Sequence, residues 1–139
     1  MFNKILLASD GSKNALRAAE KAAFIAKVQT EAMVTILYVV DSSTSKADVL
    51  SEGSIEAIRE NRYKKLWSTE EIFKKNNSKY EVKIVKGEPG PTIVQHANEN
   101  KYNLVIIGSR GLGRLQVMIL GSVSHKVAKR VDCPVMIDK

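Results

Sequence analysis

The sequence predicts an α/β fold, an open parallel sheet with helices on both faces. Three observations carry that expectation. Short apolar runs alternate with helical stretches along the whole chain, in the order β-α-β-α-β-α-β-α-β. The runs at Ile5–Ala8, Met33–Val40 and Leu104–Ile107 are almost continuously apolar, which suits strands covered on both sides. Strand–helix alternation of this kind builds a parallel sheet through right-handed crossovers. At 139 residues the chain is expected to form a single domain, large enough to bury a real core.

The elements follow in order. Lys4–Ser9 reads as the first buried strand, and the Asp10-Gly11-Ser12 turn that follows ends in a good helix N-cap, Ser12. From Lys13 to Val28 the residues Ala15, Ala18, Ala19, Ala22, Ala23, Ile25 and Ala26 recur at three- and four-residue steps. That spacing makes one apolar helix face, and its alanines allow close approach to the sheet. Met33–Val40 is rich in β-branched residues and reads as the second strand. The polar run Asp41-Ser42-Ser43-Thr44-Ser45 reads as a loop.

Ser54–Asn76 is expected to be a long amphipathic helix, with Ile55, Ile58, Leu66, Trp67, Ile72 and Phe73 on its inner face and Trp67 as a packing residue. Tyr80–Lys86 alternates apolar and polar, the mark of a half-exposed or edge strand. Pro91 fits the first position of a short helix over Thr92–Asn100, with Ile93, Val94 and Ala97 inward and His96 beside that face. Asn103–Ile107 is the fourth strand. Ser122–Val131 is the last helix, with Val123, Val127 and Val131 in one stripe, and Pro134–Ile137 is the last strand.

Composition removes several classes. The longest apolar runs fall far short of the roughly 20 residues a membrane helix needs, and the N-terminus has no signal-peptide pattern. One cysteine, Cys133, cannot staple the chain, so a cytoplasmic setting is expected. Lys and Arg outnumber Asp and Glu by 22 to 15, a net charge of +7 that suits an anionic ligand. No basic stretch is interleaved with aromatic residues, which argues against nucleic acid. No histidine has a nucleophile partner or a second ligand at metal spacing, so neither a catalytic residue nor a histidine metal site is expected; Asp10 is a candidate for a ribose hydroxyl or a metal, or else a turn or capping aspartate.

The chemistry concentrates at Gly108-Ser109-Arg110-Gly111-Leu112-Gly113-Arg114, directly after the fourth strand, and at Gly121-Ser122-Val123-Ser124, which opens the last helix. Glycine exposes backbone N–H groups, and a helix N-terminus adds more, so the two turns suit an anion cradle. The first turn nearly spells a P-loop, but Arg114 stands where lysine is required and Leu115 where the hydroxyl that holds magnesium is required. A dinucleotide fingerprint should follow the first strand, where only Gly11 is present. In open parallel sheets ligands sit at the carboxyl ends of the strands. Asp10, Val39 and Gly108 end three of them, so they are expected to converge on one crevice.

The spacing Gly108-x2-Gly111-x9-Gly121-Ser122 matches the signature G-x2-G-x9-G-[ST] of the nucleotide-binding branch of the universal stress protein family. The chain also resembles that family in Lys4-Ile5-Leu6-Leu7-Ala8-Ser9-Asp10-Gly11-Ser12, Leu37-Tyr38-Val39-Val40-Asp41, Gly87-Glu88-Pro89, and Cys133-Pro134-Val135. Ala8 is a small departure, since the family often carries proline or valine there. The resemblance implies a Rossmann-like sheet of order 3-2-1-4-5, of the adenine nucleotide alpha hydrolase type. It implies binding of ATP, or ADP or AMP, with Mg2+ held by the phosphates, and a homodimer through the last strand, Pro134–Asp138.

Residue by residue, the resemblance puts Asp10 and Val39 at the adenosine end, with Ala8 and Ser9 beside them. Gly108, Ser109, Arg110 and Gly111 would border ribose and phosphates, and Gly121, Ser122, Val123 and Ser124 would hold the phosphates. The segment Leu112–Leu120 would be a flap over them. The function so implied is that of a dimeric stress-response sensor or regulator, with at most slow ATP hydrolysis. The alternative is a nucleotide-independent protein-interaction module.

Overall fold

The computed structural model describes residues 1–10, 13–29, 31–40, 55–108 and 122–139. The Ser12 cap, the serine-rich run and the Leu112–Leu120 flap lie outside the described residues, as do Ser109, Arg110, Gly111 and Gly121. The elements run β1 (Lys4–Ala8), α1 (Lys13–Val28), β2 (Met33–Val40), α2 (Ile55–Lys75), β3 (Lys79–Lys86), α3 (Pro89–Glu99), β4 (Leu104–Gly108), α4 (Ser122–Arg130) and β5 (Val135–Asp138). All the strand pairs are parallel, in the order β3-β2-β1-β4-β5. That is the order implied by the family resemblance, and it places β1 at the centre.

Strand alternation sorts the core into two layers. Ile5, Leu7, Val34, Ile36, Leu104 and Ile106 face α1 and α2, where they meet Ala18, Ala19, Ala22, Ala23, Ala26, Leu66 and Phe73. Leu6, Ala8, Leu37, Val105 and Ile107 face α3 and α4, where they meet Ile93, Ala97 and Val127. Residues buried on both faces explain why β1, β2 and β4 read as near-continuous apolar runs. Full burial of each such side chain stabilises the fold by roughly 1.5–3 kcal/mol. The alanine face of α1 keeps that helix close to the sheet. β3 lies at an edge, and its alternating exposure follows from having one neighbour, β2.

Two details depart from expectation. Helix α3 begins at Pro89, two residues before the expected start. The first intrahelical bond runs from the Thr92 N–H to the Glu88 carbonyl, so Pro91 sits among the first N–H positions that have no helical acceptor and costs no bond. Trp67 is 59% exposed rather than packed, while Leu66 and Phe73 carry the inner face of α2. Trp67 falls one step round the helix from that face, and the side chains of Ile55 and Ile58 lie outside the described residues.

Helices α2 and α3 end in Schellman motifs. At α2 the Asn77 N–H reaches the Lys74 carbonyl and the Ser78 N–H reaches the Phe73 carbonyl. At α3 the Lys101 N–H reaches the Asn98 carbonyl and the Tyr102 N–H reaches the Ala97 carbonyl. Such ends place one residue at positive φ: Asn77 at 52° and Lys101 at 52°, while Glu31, after α1, stands at 67°. Asparagine suits that conformation. For lysine or glutamate it costs about 1–2 kcal/mol relative to glycine.

Candidate functional site at the carboxyl ends of the strands

Strand order reverses direction between β1 and β4, so the crevice outside their carboxyl ends is where an open sheet of this type accepts ligands. Ala8 lies beside Leu37 of β2 and Ile107 of β4. Gly108 is one residue beyond Ile107, and Val39 two beyond Leu37. The Ser9 N–H continues the ladder by donating to the Leu37 carbonyl at 3.0 Å. Ala8 and Ser9 are buried, Asp10 is exposed, and Val39 is half-buried against the α3/α4 layer. The expected convergence of Ala8, Ser9, Asp10, Val39 and Gly108 on one edge is therefore what the fold produces.

Gly108 is held there by close packing. A Cβ on it would lie 3.0 Å from the Asn14 carbonyl oxygen and 3.2 Å from its carbonyl carbon. Both atoms are backbone, so neither can swing aside. Glycine thus lets the end of β4 lie against the first turn of α1. Ser124 is buried, and its hydroxyl donates to the Gly108 carbonyl at 3.2 Å. That bond joins the end of β4 to the first turn of α4, where Ser122 begins the helix and Val123 packs on the α3/α4 layer. Ser124, which the family resemblance places at the phosphates, thus donates its hydroxyl to the Gly108 carbonyl in this structure. Asn14 was not singled out from sequence, because a backbone contact leaves no trace in residue type.

One buried charge lies level with this crevice. Asp138 ends β5 opposite Gly108, and its carboxylate is reached by Lys21 of α1, with the Arg17 Nε at 3.6 Å. Arg17 also donates to the side chain of Asn14. The network ties β5 and α1 together beside Gly108. Cys133, before β5, is half-buried, and burial pushes its thiol above the ordinary value, as expected for a structural cysteine. No helix among the described residues is long and apolar enough to cross a membrane.

The opposite end of the sheet is built differently. Lys4 donates to the Asn100 carbonyl at the end of α3 and lies over the Tyr102 ring, 4.8 Å from its centroid. His96 of α3 stacks at 5.7 Å from that ring, with its Nε2 3.4 Å from the Tyr102 hydroxyl. Burial holds His96 below its ordinary pKa, helped by Lys83 and Lys4 and opposed by Glu81 and Glu99. Reading His96 as a surface or packing residue therefore agrees with its place.

Comparison with known proteins fits this geometry. A model of the universal stress protein family matches residues 1–139. The chain is 38% identical to universal stress protein YxiE of Bacillus subtilis over 148 aligned positions, covering 99% of each chain. Its fold superposes on that of the hypothetical protein MJ0577 of Methanocaldococcus jannaschii with a TM-score of 0.83, at 27% identity, covering 100% of this chain and 96% of the other. It also superposes on a universal stress protein solved in complex with cAMP, with a TM-score of 0.73, 26% identity, and coverage of 98% and 95%. With family match, fold and crevice in agreement, the chain belongs to the universal stress protein family.

Proposed function

We propose that the chain binds an adenine nucleotide, ATP with ADP or AMP as related ligands, in the crevice at Ala8–Asp10, Val39 and Gly108. The observation that carries this reading is the seat of Gly108, packed on the Asn14 backbone and tied by Ser124 to the first turn of α4, which brings the end of β4 and that helix start together. Any side chain there would push the strand end off α1 and displace this lip of the crevice. The first turn of α4 brings free N–H groups to the same place. The cAMP complex of a relative supports the choice of an adenine nucleotide.

In this reading Asp10 and Val39 lie toward adenosine, Gly108, Ser109, Arg110 and Gly111 border ribose and phosphates, and Gly121, Ser122 and Val123 hold the phosphates. Ser124 positions the two lips by its bond to Gly108. Mg2+ is carried on the phosphates. Three or four hydrogen bonds to charged oxygens, worth roughly 1.5–3 kcal/mol each, reach a micromolar affinity, about −8 kcal/mol, after ordering costs. Hydrolysis is at most slow: Asp10 is the candidate general base, and the Asp138 carboxylate beside the crevice is held by Lys21 and Arg17.

The wider reading is a cytoplasmic, single-domain, homodimeric sensor or regulator of the stress response. Dimerisation through Pro134–Asp138 is supported by the edge position of β5, whose Val135, Met136 and Ile137 stay half-buried. The test is mass spectrometry of nucleotide co-purified with the protein, followed by titration with ATP and Mg2+. Nucleotide at about 100 times its Kd should stabilise the fold by about 2.7 kcal/mol. A protein that purifies empty and whose Tm ignores millimolar Mg-ATP would remove this reading and favour the nucleotide-independent module. Gly121→Val should abolish binding while the fold survives.

A further inference from the structure

The amino ends of β1, β2 and β3 carry an open pocket of about 470 Å3, on the side of the sheet opposite the crevice. That volume lies in the range of small-molecule sites, roughly 300–1,000 Å3. Its rim holds two opposite charges, Glu31 and Lys101. Neither side chain makes an ion pair or hydrogen bond among the described residues. Both stand at positive φ, where glycine would be less strained. Two uncommitted charges of opposite sign are thus kept, under backbone strain, around one pocket.

The floor is polar and ordered. Thr35 is 2% exposed inside an otherwise apolar strand, and its hydroxyl donates to the Glu81 Oε1 at 2.9 Å. That bond fixes a second carboxylate beside the pocket. Asn103 accepts the Lys4 N–H at 2.8 Å through its side-chain oxygen, which orients its amide, and the amide nitrogen has no partner among the described residues. Lys4 itself is engaged with Asn100 and Tyr102. Glu81 Oε1 also pairs with Lys83 Nζ at 3.7 Å. The groups open to a ligand are therefore the Lys101 ammonium with the Asn103 amide, and the Glu31 carboxylate, with Glu81 beside it.

We propose that this pocket binds a small zwitterion, the free α-amino acids being its chemical class. The ligand carboxylate meets Lys101 and the Asn103 amide. The ligand ammonium meets Glu31, with Glu81 beside it. A ligand with one charge leaves either Lys101 or Glu31 unmatched, so both groups are needed. Strain retained at Glu31 and Lys101 has a use on this reading: glycine would relax the backbone but remove the recognising charge.

The experiment is ligand-observed NMR and calorimetry on the full chain against a panel of free amino acids, each repeated with its N-acetyl and methyl-ester forms. At least one amino acid should saturate below about 10 mM, and its blocked forms should not bind. Lys101→Gly and Glu31→Gly should each raise Tm by about 2–6 °C and weaken binding at least about tenfold. Glu81→Gln should weaken it similarly, with the fold intact by circular dichroism. Affinity for Mg-ATP should be the same in all three variants. No saturation by any amino acid at about 10 mM would overturn the proposal, as would wild-type binding in both glycine variants.

Discussion

The two ends of the sheet use opposite chemistry. At the carboxyl ends the determining residues are small: Ala8, Ser9, Gly108 and Ser124 bring backbone close to backbone. At the amino ends they are long and charged: Lys4, Glu31, Glu81 and Lys101 reach into a wider opening. One end is suited to a ligand that takes hydrogen bonds from main chain, the other to a ligand that meets side-chain charge. Adding atoms should therefore damage the first end more than removing them, and the reverse should hold at the second.

The sharpest way to break that contrast is Gly108→Val. Its branched Cβ would press on the Asn14 backbone, and overpacking of this kind costs about 1–3 kcal/mol. Nucleotide affinity should fall at least about 100-fold, since the strand end proposed to border the phosphates would be displaced. Gly108→Ala should fall between this variant and the wild type in calorimetry. Equal affinity in all three would show that backbone proximity at Gly108 does not matter.

Next in size is Asp138→Asn. The carboxylate is buried, but Lys21 and Arg17 are each about half exposed, so solvent screens much of the pairing. A loss of about 1–2 kcal/mol in urea unfolding is expected, smaller than for a fully buried pair. Ser124→Ala removes one neutral hydrogen bond, worth about 1 kcal/mol, and should raise the nucleotide Kd by roughly three- to tenfold. If Ser124→Ala proved as damaging as Gly108→Val, recognition at this end would depend on side chains after all.

The smallest effect is a pH dependence at the other end. His96 titrates lower in the folded chain, so the unfolded chain takes up its proton first. The contribution of neutral His96 is complete above the unfolded value of about 6.5 and is lost as pH falls from there toward the folded pKa. Thermal unfolding between pH 7.5 and pH 5 should show a modest decline in Tm that His96→Gln flattens. An unchanged slope in that variant would assign the decline to carboxylates instead.

Much of the fold was legible because it follows from local pattern. Helix α1 and strand β2 begin and end where their periodicities do, since the alanine stripe and the β-branched run each have one satisfactory burial. The alternation of β3 correctly marked an edge. Trp67 was misplaced because residue type says little about which of two adjacent helix positions faces inward. The start of α3 was late because a proline among the first N–H positions marks a helix beginning without fixing its first residue. The Ser109–Gly121 part of the phosphate motif remains a reading from spacing.

Sequence by itself determined the strand–helix alternation, the parallel sheet and the glycine–serine spacing, because burial periodicity and backbone freedom are properties of residue type. Strand order came from family resemblance. Only the tertiary structure decided that Gly108 rests on the Asn14 backbone and that Ser124 is spent on the Gly108 carbonyl. It alone gathered Glu31 and Thr35 with Glu81 and Lys101, distant in the chain, around one opening. Contacts of that kind depend on strand register and helix placement, which are set by the packing of the whole sheet rather than by any one segment.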